Sequence, residues 1–310
     1  MIYLDTIGYY LPPNEVSNYS KVEKFAVKDD FLLQKIGITS LRVKNADEDT
    51  SDMCVKAYLD MLTKTNVSSD DIDCLIVCTQ NPDGYGLPHT SAIVHSKLGL
   101  KQNCAVFDIS LGCSGYVYGL SIAQSFMMTN GFNNGVFITA DPYSKIIDED
   151  DKNSTFLFSD AATATLLTRS KHNTWQMGHF LFGSDGSKYE SIRVDDVRHK
   201  FKMNGREVVN FAAKIIPAHI HQLLQKNKLS IDDIDRFIFH QGSKFIISTI
   251  QQKLGLSDDK VPFLVKDYGN TVSSSIPLIL KDLKKTHHPI VICGFGVGLS
   301  WGSCVLKLAE

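Results

Sequence analysis

Residues 105–131, AVFDISLGCSGYVYGLSIAQSFMMTNG, change character in the middle. The apolar run from Cys104 to Ile109 reads as a buried strand, and Ser110, Leu111 and Gly112 interrupt it. Beyond the interruption, Tyr116, Val117, Leu120, Ile122, Phe126 and Met127 recur at spacings that line one face of a helix. A strand, a glycine-marked turn and a helix are the unit from which sheets covered by helices are built. The same reading puts Cys113 at the N-terminus of the helix. There, unpaired backbone N–H groups and the positive end of the helix dipole favour thiolate over thiol, as a sulfur nucleophile requires. Gly112 and Gly115 keep side chains away from the sulfur. The competing reading is that Cys113 is a small core hydrophobe, the commonest role of a buried cysteine.

This unit occurs twice. VSSDDIDCLIVCT (67–79) and LSIDDIDRFIFHQ (229–241) match at a constant offset of 162, with Asp70/Asp232, Asp71/Asp233, Ile72/Ile234, Asp73/Asp235 and Ile76/Ile238 in register. Each copy follows a helical pattern, Met53 to Leu62 and Val208 to Leu224, and leads into a short buried strand. A second pairing sets VFDISLGC (106–113) against FLVKDYGN (263–270), each reading as a strand and turn followed by a helix and another apolar strand, Gly135 to Thr139 and Pro289 to Cys293. Alternating strands and helices predict an α/β fold: a duplicated α/β/α/β/α sandwich with two mostly parallel sheets. The break falls near Arg169 to Asn173, which divides the chain into halves 1–170 and 171–310.

The totals narrow the function. The 310 residues are 43% hydrophobic, enough for a large core or two fused ones. A net charge of −2 provides no global field for nucleic acid or an anionic membrane, so neither is expected as a partner. The seven cysteines, mostly within apolar runs, point to reduced thiols and a cytoplasmic location. The N-terminal MIYLDTIGYYLPPNEVSN lacks the basic and apolar regions of a signal peptide, and no apolar stretch reaches the ~18 residues of a membrane span. The acidic run Asp148 to Asp151 reads as a solvated loop, and no metal is assigned to it.

Two further residues join Cys113. His240 ends the strand that corresponds to Leu75–Cys78, with Ser243 placed to cap the helix running through Leu254. Asn270, in DYGNTVSSS, occupies the position that corresponds to Cys113. A histidine at a strand end and an asparagine after a glycine have ordinary structural roles. In open α/β sheets, however, sites form beyond the carboxyl ends of strands, and the duplication brings all three residues to such ends. The glycine-rich GFGVGLSWGS (294–303) runs from strand to strand and lacks the Walker lysine, so it reads as a close backbone approach beside Cys113, in the manner of an oxyanion hole.

Taken together, IGYYLPPNEVSN, FDISLGCSG, FSDAATATLL (158–167), MNGREVVNFA (203–212), FHQGS, DYGNTVSSSIP and GFGVGLSWGS resemble the ketoacyl-acyl-carrier-protein synthase III family of the thiolase superfamily over nearly the whole chain. The resemblance implies a decarboxylative Claisen condensation. Cys113 would take an acyl group from a thioester, with backbone N–H groups of Cys113 and Val297 holding the oxyanion. His240 and Asn270 would hold the carbonyl of a malonyl-type thioester. It further implies acyl-CoA and an acyl carrier protein as partners, a homodimer, and no cofactor beyond the thioester substrates. Substrate-binding positions fall on Phe31, Lys35, Lys152, Leu87, Arg206 and Ser243, and carrier docking on Lys244 and Lys253.

The departures are specific. Family members commonly have Asn at Ser243, Gly at Val297, and Trp with Arg where this chain has Phe31, Lys35 and Lys152, which predicts a looser grip on a coenzyme A nucleotide. Asn210, Phe245 and Gln252 stand at basic docking positions, and Leu87 stands where an aromatic reaches the neighbouring subunit's acyl pocket. Two alternatives share the fold: transfer of the acyl group to an oxygen or nitrogen acceptor, and a non-catalytic partner subunit.

Overall fold

The structure, a computed structural model, describes residues 1–309. The chain begins with strand β1 (Tyr3–Tyr10), a ribbon of β2 (Asn14–Ser17) and β3 (Ser40–Val43), and helix α1 (Thr50–Leu62). Then come β4 (Cys74–Cys78), α2 (Thr90–Leu98), β5 (Ala105–Ile109), α3 (Gly115–Asn130), β6 (Asn134–Ala140) and β7 (Ala162–Thr168). After a loop the order repeats with β8 (Trp175–Ser184), a ribbon of β9 (Ile192–Val194) and β10 (Phe201–Met203), α4 (Gly205–Lys226), β11 (Arg236–Phe239) and α5 (Lys244–Leu254). The chain closes with α6 (Ser275–Leu280), β12 (Ile290–Gly296) and β13 (Ser300–Leu308).

The main strands form one sheet in the order β5-β4-β6-β7-β1-β8-β13-β12-β11. With the edge strand β5 set aside, β4 answers β11, β6 answers β12, β7 answers β13 and β1 answers β8. The duplication is therefore visible in the topology as well as in the 162-residue repeat. Three apolar clusters complete the layers. Met53, Ala57 and Tyr58 of α1 pack with Val94 of α2 on the outside of β4, β6 and β7. Phe211 and Ile216 of α4 pack with Ile247 and Ile250 of α5 on the outside of β11, β12 and β13. Between them, Tyr116, Val117 and Leu120 of α3 and Ile276 and Ile279 of α6 share one cluster with Ile76 of β4, Ile238 of β11 and Ile292 of β12.

The expectation of two mostly parallel sheets needs two corrections. First, the halves are continuous, joined where Tyr3 and Leu4 pair with Gln176 and Trp175. Second, only β4/β5, β4/β6 and β11/β12 are parallel, and the other neighbours run antiparallel. The helical periodicity found the crossovers, but the β12–β13 turn at Val297–Leu299 is short enough to reverse the chain directly.

A third correction concerns the expected strand at Phe263. Residues 262–265 form no ladder with β11. Pro262 has no N–H to donate, and the Gln241 side chain fills the gap, donating to the Phe239 and Pro262 carbonyls at 2.9 and 3.3 Å and accepting from Leu264 N–H at 3.2 Å. The predicted helices are present, and Ser243 caps α5 by accepting from Ile246 N–H. Among the described residues no helix is long and apolar enough to cross a membrane.

Candidate active site

A cavity of about 1220 Å³ opens at the carboxyl ends of β5, β11 and β12, and Cys113, His240, Asn270 and Val297 all line it. The three side chains expected to converge from distant parts of the sequence do so. All three are buried, yet each reaches the cavity.

Cys113 lies in the turn between β5 and α3, two residues before the helix proper. Its backbone is gripped by β12: a Cβ on Gly294 would fall 2.6 Å from the Cys113 carbonyl, and one on Gly296 would fall 2.8 Å from both Cβ and Sγ. A side chain at Gly294 would push on the backbone of the Cys113 turn, and one at Gly296 would displace the sulfur itself. The backbone N–H groups of Val297 and of Cys113 itself act on the sulfur, each pulling the thiol pKa down. Ser300 Oγ accepts no such duty but ties the turn together, donating to the Val297 carbonyl at 2.9 Å and meeting Ser114 Oγ at 2.7 Å.

The expectation that the helix terminus lowers the thiol pKa is overturned. Burial pushes the Cys113 thiol up to about 12, against the opposing pull of the two N–H groups, with buried Asp141 adding a further upward push. Sulfur outside the first helical turn gains little from the dipole, and losing solvent outweighs it. Cys113 is nevertheless the most exposed of the seven cysteines at 8%, and the only one that borders the cavity.

His240 is fixed at the end of β11 by its N–H on the Cys293 carbonyl at 2.8 Å. Its Nδ1 meets Ser275 Oγ at 2.8 Å, and its ring stands edge-on to Phe295 with centroids 5.8 Å apart. Burial lowers its pKa to about 4, partly offset by the Val272 carbonyl, so the ring is neutral at pH 7.

Asn270 is held by the backbone on both sides, with its N–H on the Leu157 carbonyl and its carbonyl accepting from Ser159 N–H, both at 2.8 Å. Its Oδ1 accepts from Val272 N–H at 2.9 Å, which leaves Nδ2 as the amide's donor toward the cavity. To deliver that N–H, Val272 takes a left-handed backbone with φ of 53°, an uncommon conformation for a β-branched residue. The serines that follow anchor the segment to the first half: Ser273 Oγ donates to Asp141 at 2.6 Å, and Ser274 Oγ meets Thr139 Oγ1 at 2.8 Å.

Of the expected binding residues, Phe31, Lys35, Lys152, Arg206 and Ser243 border the same cavity. Lys152 Nζ sits 5.0 Å over the Phe31 ring. The acidic loop pairs with bases: Asp148 with Arg198 at 3.0 Å and Asp150 with Lys24 at 2.7 Å. Lys35, Lys152 and Arg206 have no ion-pair partner among the described residues. Leu87, Lys244 and Lys253 do not line the cavity. Leu87 is 93% exposed on its loop. Lys244 Nζ donates to the Leu33 carbonyl and Gln34 Oε1 at 3.3 and 3.1 Å, and Lys253 lies in the last turn of α5.

Three residues escaped the sequence reading. Tyr143 stacks on Phe158 at 4.8 Å and forms an aromatic wall with Phe201. Asp141 is fully buried behind the cysteine, and Ser275 supports His240. Asp141 directly follows the apolar β6, the kind of strand-end polar residue that marked His240, so that signal was present. Among the described residues no group of three His, Cys, Asp or Glu side chains is placed to hold a metal ion.

Comparison with known proteins agrees with this geometry. Residues 107–186 match the family described as 3-oxoacyl-[acyl-carrier-protein (ACP)] synthase III, and residues 224–308 match its C-terminal domain. The beta-ketoacyl-[acyl-carrier-protein] synthase III of Clostridium perfringens is 34% identical, over 97% of each chain. The crystal structure of 3-oxoacyl-[acyl-carrier-protein] synthase III from Aquifex aeolicus superposes with a TM-score of 0.91 at 29% identity, covering 99% of this chain and 100% of that one. The priming beta-ketosynthase of the R1128 polyketide biosynthetic pathway superposes with a TM-score of 0.90 at 27% identity, covering 100% and 97%.

Proposed function

The chain belongs to the 3-oxoacyl-[acyl-carrier-protein] synthase III family, and from that premise we propose how its own residues carry out the condensation of an acyl thioester with a malonyl-type thioester. The enzyme is an acyltransferase of the carbon–carbon bond-forming class. The observation that carries the assignment of roles is the shared cavity, where a thiol, a neutral imidazole and a carboxamide donor meet.

In the first half-reaction the Cys113 sulfur attacks the acyl thioester carbon. The N–H groups of Cys113 and Val297, which already favour negative charge at the sulfur, receive the oxyanion as it forms. The incoming thiol's proton leaves with the departing thiolate, giving acyl-Cys113 and a free thiol. Because Cys113 is protonated at rest, its ionisation accompanies attack rather than preceding it.

In the second half-reaction the malonyl-type thioester loses CO₂, and the electron pair of the broken bond becomes an enolate. Asn270 Nδ2 and His240 donate hydrogen bonds to the enolate oxygen. A neutral imidazole suits this task, since it donates without surrendering its proton. The enolate carbon attacks the acyl carbon, the Cys113 thiolate is expelled and takes up a proton, and a 3-oxoacyl thioester departs. These steps call for no metal or redox cofactor.

The mouth supports a looser nucleotide grip. Phe31 and Lys152 already face one another, and lysines replace the bidentate fork an arginine would offer. Arg206 and Lys35 supply further positive charge for a phosphate or an acidic carrier protein, with Ser243 at the cavity edge. Lys244 and Lys253 remain candidates for carrier docking outside the cavity. We also assign a homodimer: the β5 edge is unpaired and its residues are half-buried, and the loop carrying Leu87 projects beside it. The division into halves 1–170 and 171–310 follows the mirrored strand order. Seven free cysteines support a cytoplasmic location.

The test is direct. Incubation with a panel of acyl-CoA and acyl-carrier thioesters should add one acyl mass, lost in Cys113→Ala. Carboxyl-labelled malonyl thioester should then release labelled CO₂ and yield a 3-oxoacyl product. Acyl loading followed by transfer to an alcohol or amine, with no CO₂, would replace this reading with acyl transfer to oxygen or nitrogen.

A further inference from the structure

Ser275 is the first residue of α6 and is wholly buried. Its Oγ has two partners: His240 Nδ1 at 2.8 Å and the Gln241 N–H at 3.4 Å. A backbone N–H can only donate, so it occupies a lone pair of Oγ. The hydroxyl proton then has one hydrogen-bonding partner left, the Nδ1 lone pair. The reverse arrangement, Nδ1–H donating to Oγ, would leave the serine proton buried and unpaired, which native interiors avoid.

We propose that Ser275 is a positioning residue that sets the tautomer of His240, holding the ring proton on Nε2, where it can be donated to the substrate. The inference rests on the role given to His240 in the second half-reaction. Nε2 lies on the side of the ring away from Ser275, next to Gly242, which borders the cavity. The opposite tautomer would present a lone pair to a developing enolate oxygen, and repulsion would replace a hydrogen bond. The Val272 carbonyl, an acceptor beside the ring, raises the ring's pKa and so favours its protonated form. Nδ1 belongs to Ser275, whose Oγ is seated at hydrogen-bond distance and oriented by Gln241. Gln241 is itself buried and clamped by the Phe239 and Pro262 carbonyls, so the relay is rigid from β11 to the imidazole.

The experiment reads the tautomer and the chemistry separately. Protein labelled with ¹⁵N-histidine is examined by multiple-bond ¹H–¹⁵N NMR, and the His240 signals are identified by their absence in His240→Gln. The wild type should show the proton on Nε2, and Ser275→Ala should show that population reduced. In parallel, Ser275→Ala should slow malonyl decarboxylation by the acylated enzyme about 10-fold, the usual effect of losing one orienting hydrogen bond. Acyl loading of Cys113 should stay within about twofold. Ser275→Thr, which keeps the hydroxyl, should recover most of the rate. A wild-type proton on Nδ1, or an unchanged tautomer in Ser275→Ala, overturns the proposal. Should the tautomer shift as expected while the wild type releases no CO₂, the assignment of Ser275 stands and the condensation reading fails.

Discussion

Cys113 and Asn270 occupy matching positions in the two halves, but the segments that deliver them are built differently. Cys113 follows a hydrogen-bonded strand, β5, and precedes a sixteen-residue helix. Asn270 follows a stretch with no ladder and precedes a six-residue helix, α6. The nucleophile's turn is shaped by what is missing, since the absent side chains of Gly294 and Gly296 let β12 close on the sulfur. The Asn270 turn is shaped by what is present: hydrogen bonds that tie it to Leu157, Ser159, Asp141 and Thr139 replace the lost strand pairing. A sulfur that must form and break a covalent bond needs space and backbone donors. An amide that must stay still needs anchors. On the proposed roles, a duplicated scaffold supplies one position for a covalent bond and another for a fixed hydrogen-bond donor.

Removing each residue and following the half-reactions separately should tell the two turns apart. Cys113→Ala should abolish acyl loading altogether, read as the absence of an acyl-enzyme mass. Loading that persists at another cysteine would end the assignment. Asn270→Ala should leave loading nearly intact but reduce decarboxylation and condensation by about 10²–10³, the typical loss for one oxyanion-type donor. Asn270→Asp should be worse, because a carboxylate brings negative charge to the enolate. A block in loading by Asn270→Ala would erase the distinction between the two turns.

Proton dependence should separate them further. The Cys113 thiol is held up to about 12, so its thiolate fraction rises with pH through the whole neutral range. Iodoacetamide labelling of Cys113 should therefore accelerate about tenfold per pH unit between pH 7 and 9. Its position in the cavity, not its acidity, should still make it the first cysteine labelled. His240 is held down to about 4 and is neutral above that, while an amide does not titrate, so condensation from preformed acyl-enzyme should be flat between pH 6 and 8. An inflection near 6.5 in that step would show a solvated histidine instead.

The smallest expected effect tests the anchoring serines. Ser273→Ala removes a 2.6 Å hydrogen bond to Asp141, whose carboxyl burial already raises to about 6. The loss should lower stability by about 1–3 kcal/mol in urea denaturation, and it should cost more in condensation than in loading. Equal losses in both half-reactions would mean that the Asn270 segment and the Cys113 turn share one support.

The repeat at residues 67–79 and 229–241 was enough to read the layered α/β architecture, because burial imposes the same apolar spacing on each copy. That Cys113, His240 and Asn270 would meet in one cavity was legible for a similar reason: each is a polar residue just beyond an apolar run or a glycine, where the fold delivers side chains to a crevice. Strand direction was not legible, since an apolar strand reads alike in a parallel or antiparallel neighbourhood. The missing strand at Phe263 escaped because the Gln241 side chain that replaces it lies more than twenty positions away, across a fold the local pattern does not encode.

By itself, then, the amino-acid order determined the layers, the duplication, and which three polar residues would be delivered to one cavity, because these depend on periodicity and on the chemistry of single side chains. The tertiary structure alone decided how those residues behave. The cysteine is a protonated thiol because burial outweighs the helix terminus beside it. The histidine is neutral because desolvation lowers its pKa. The asparagine presents its amide nitrogen because Val272 turns an N–H onto the oxygen. Ionisation and hydrogen-bond direction depend on solvent exclusion and on partners brought together from both halves, and neither exists until the chain has folded.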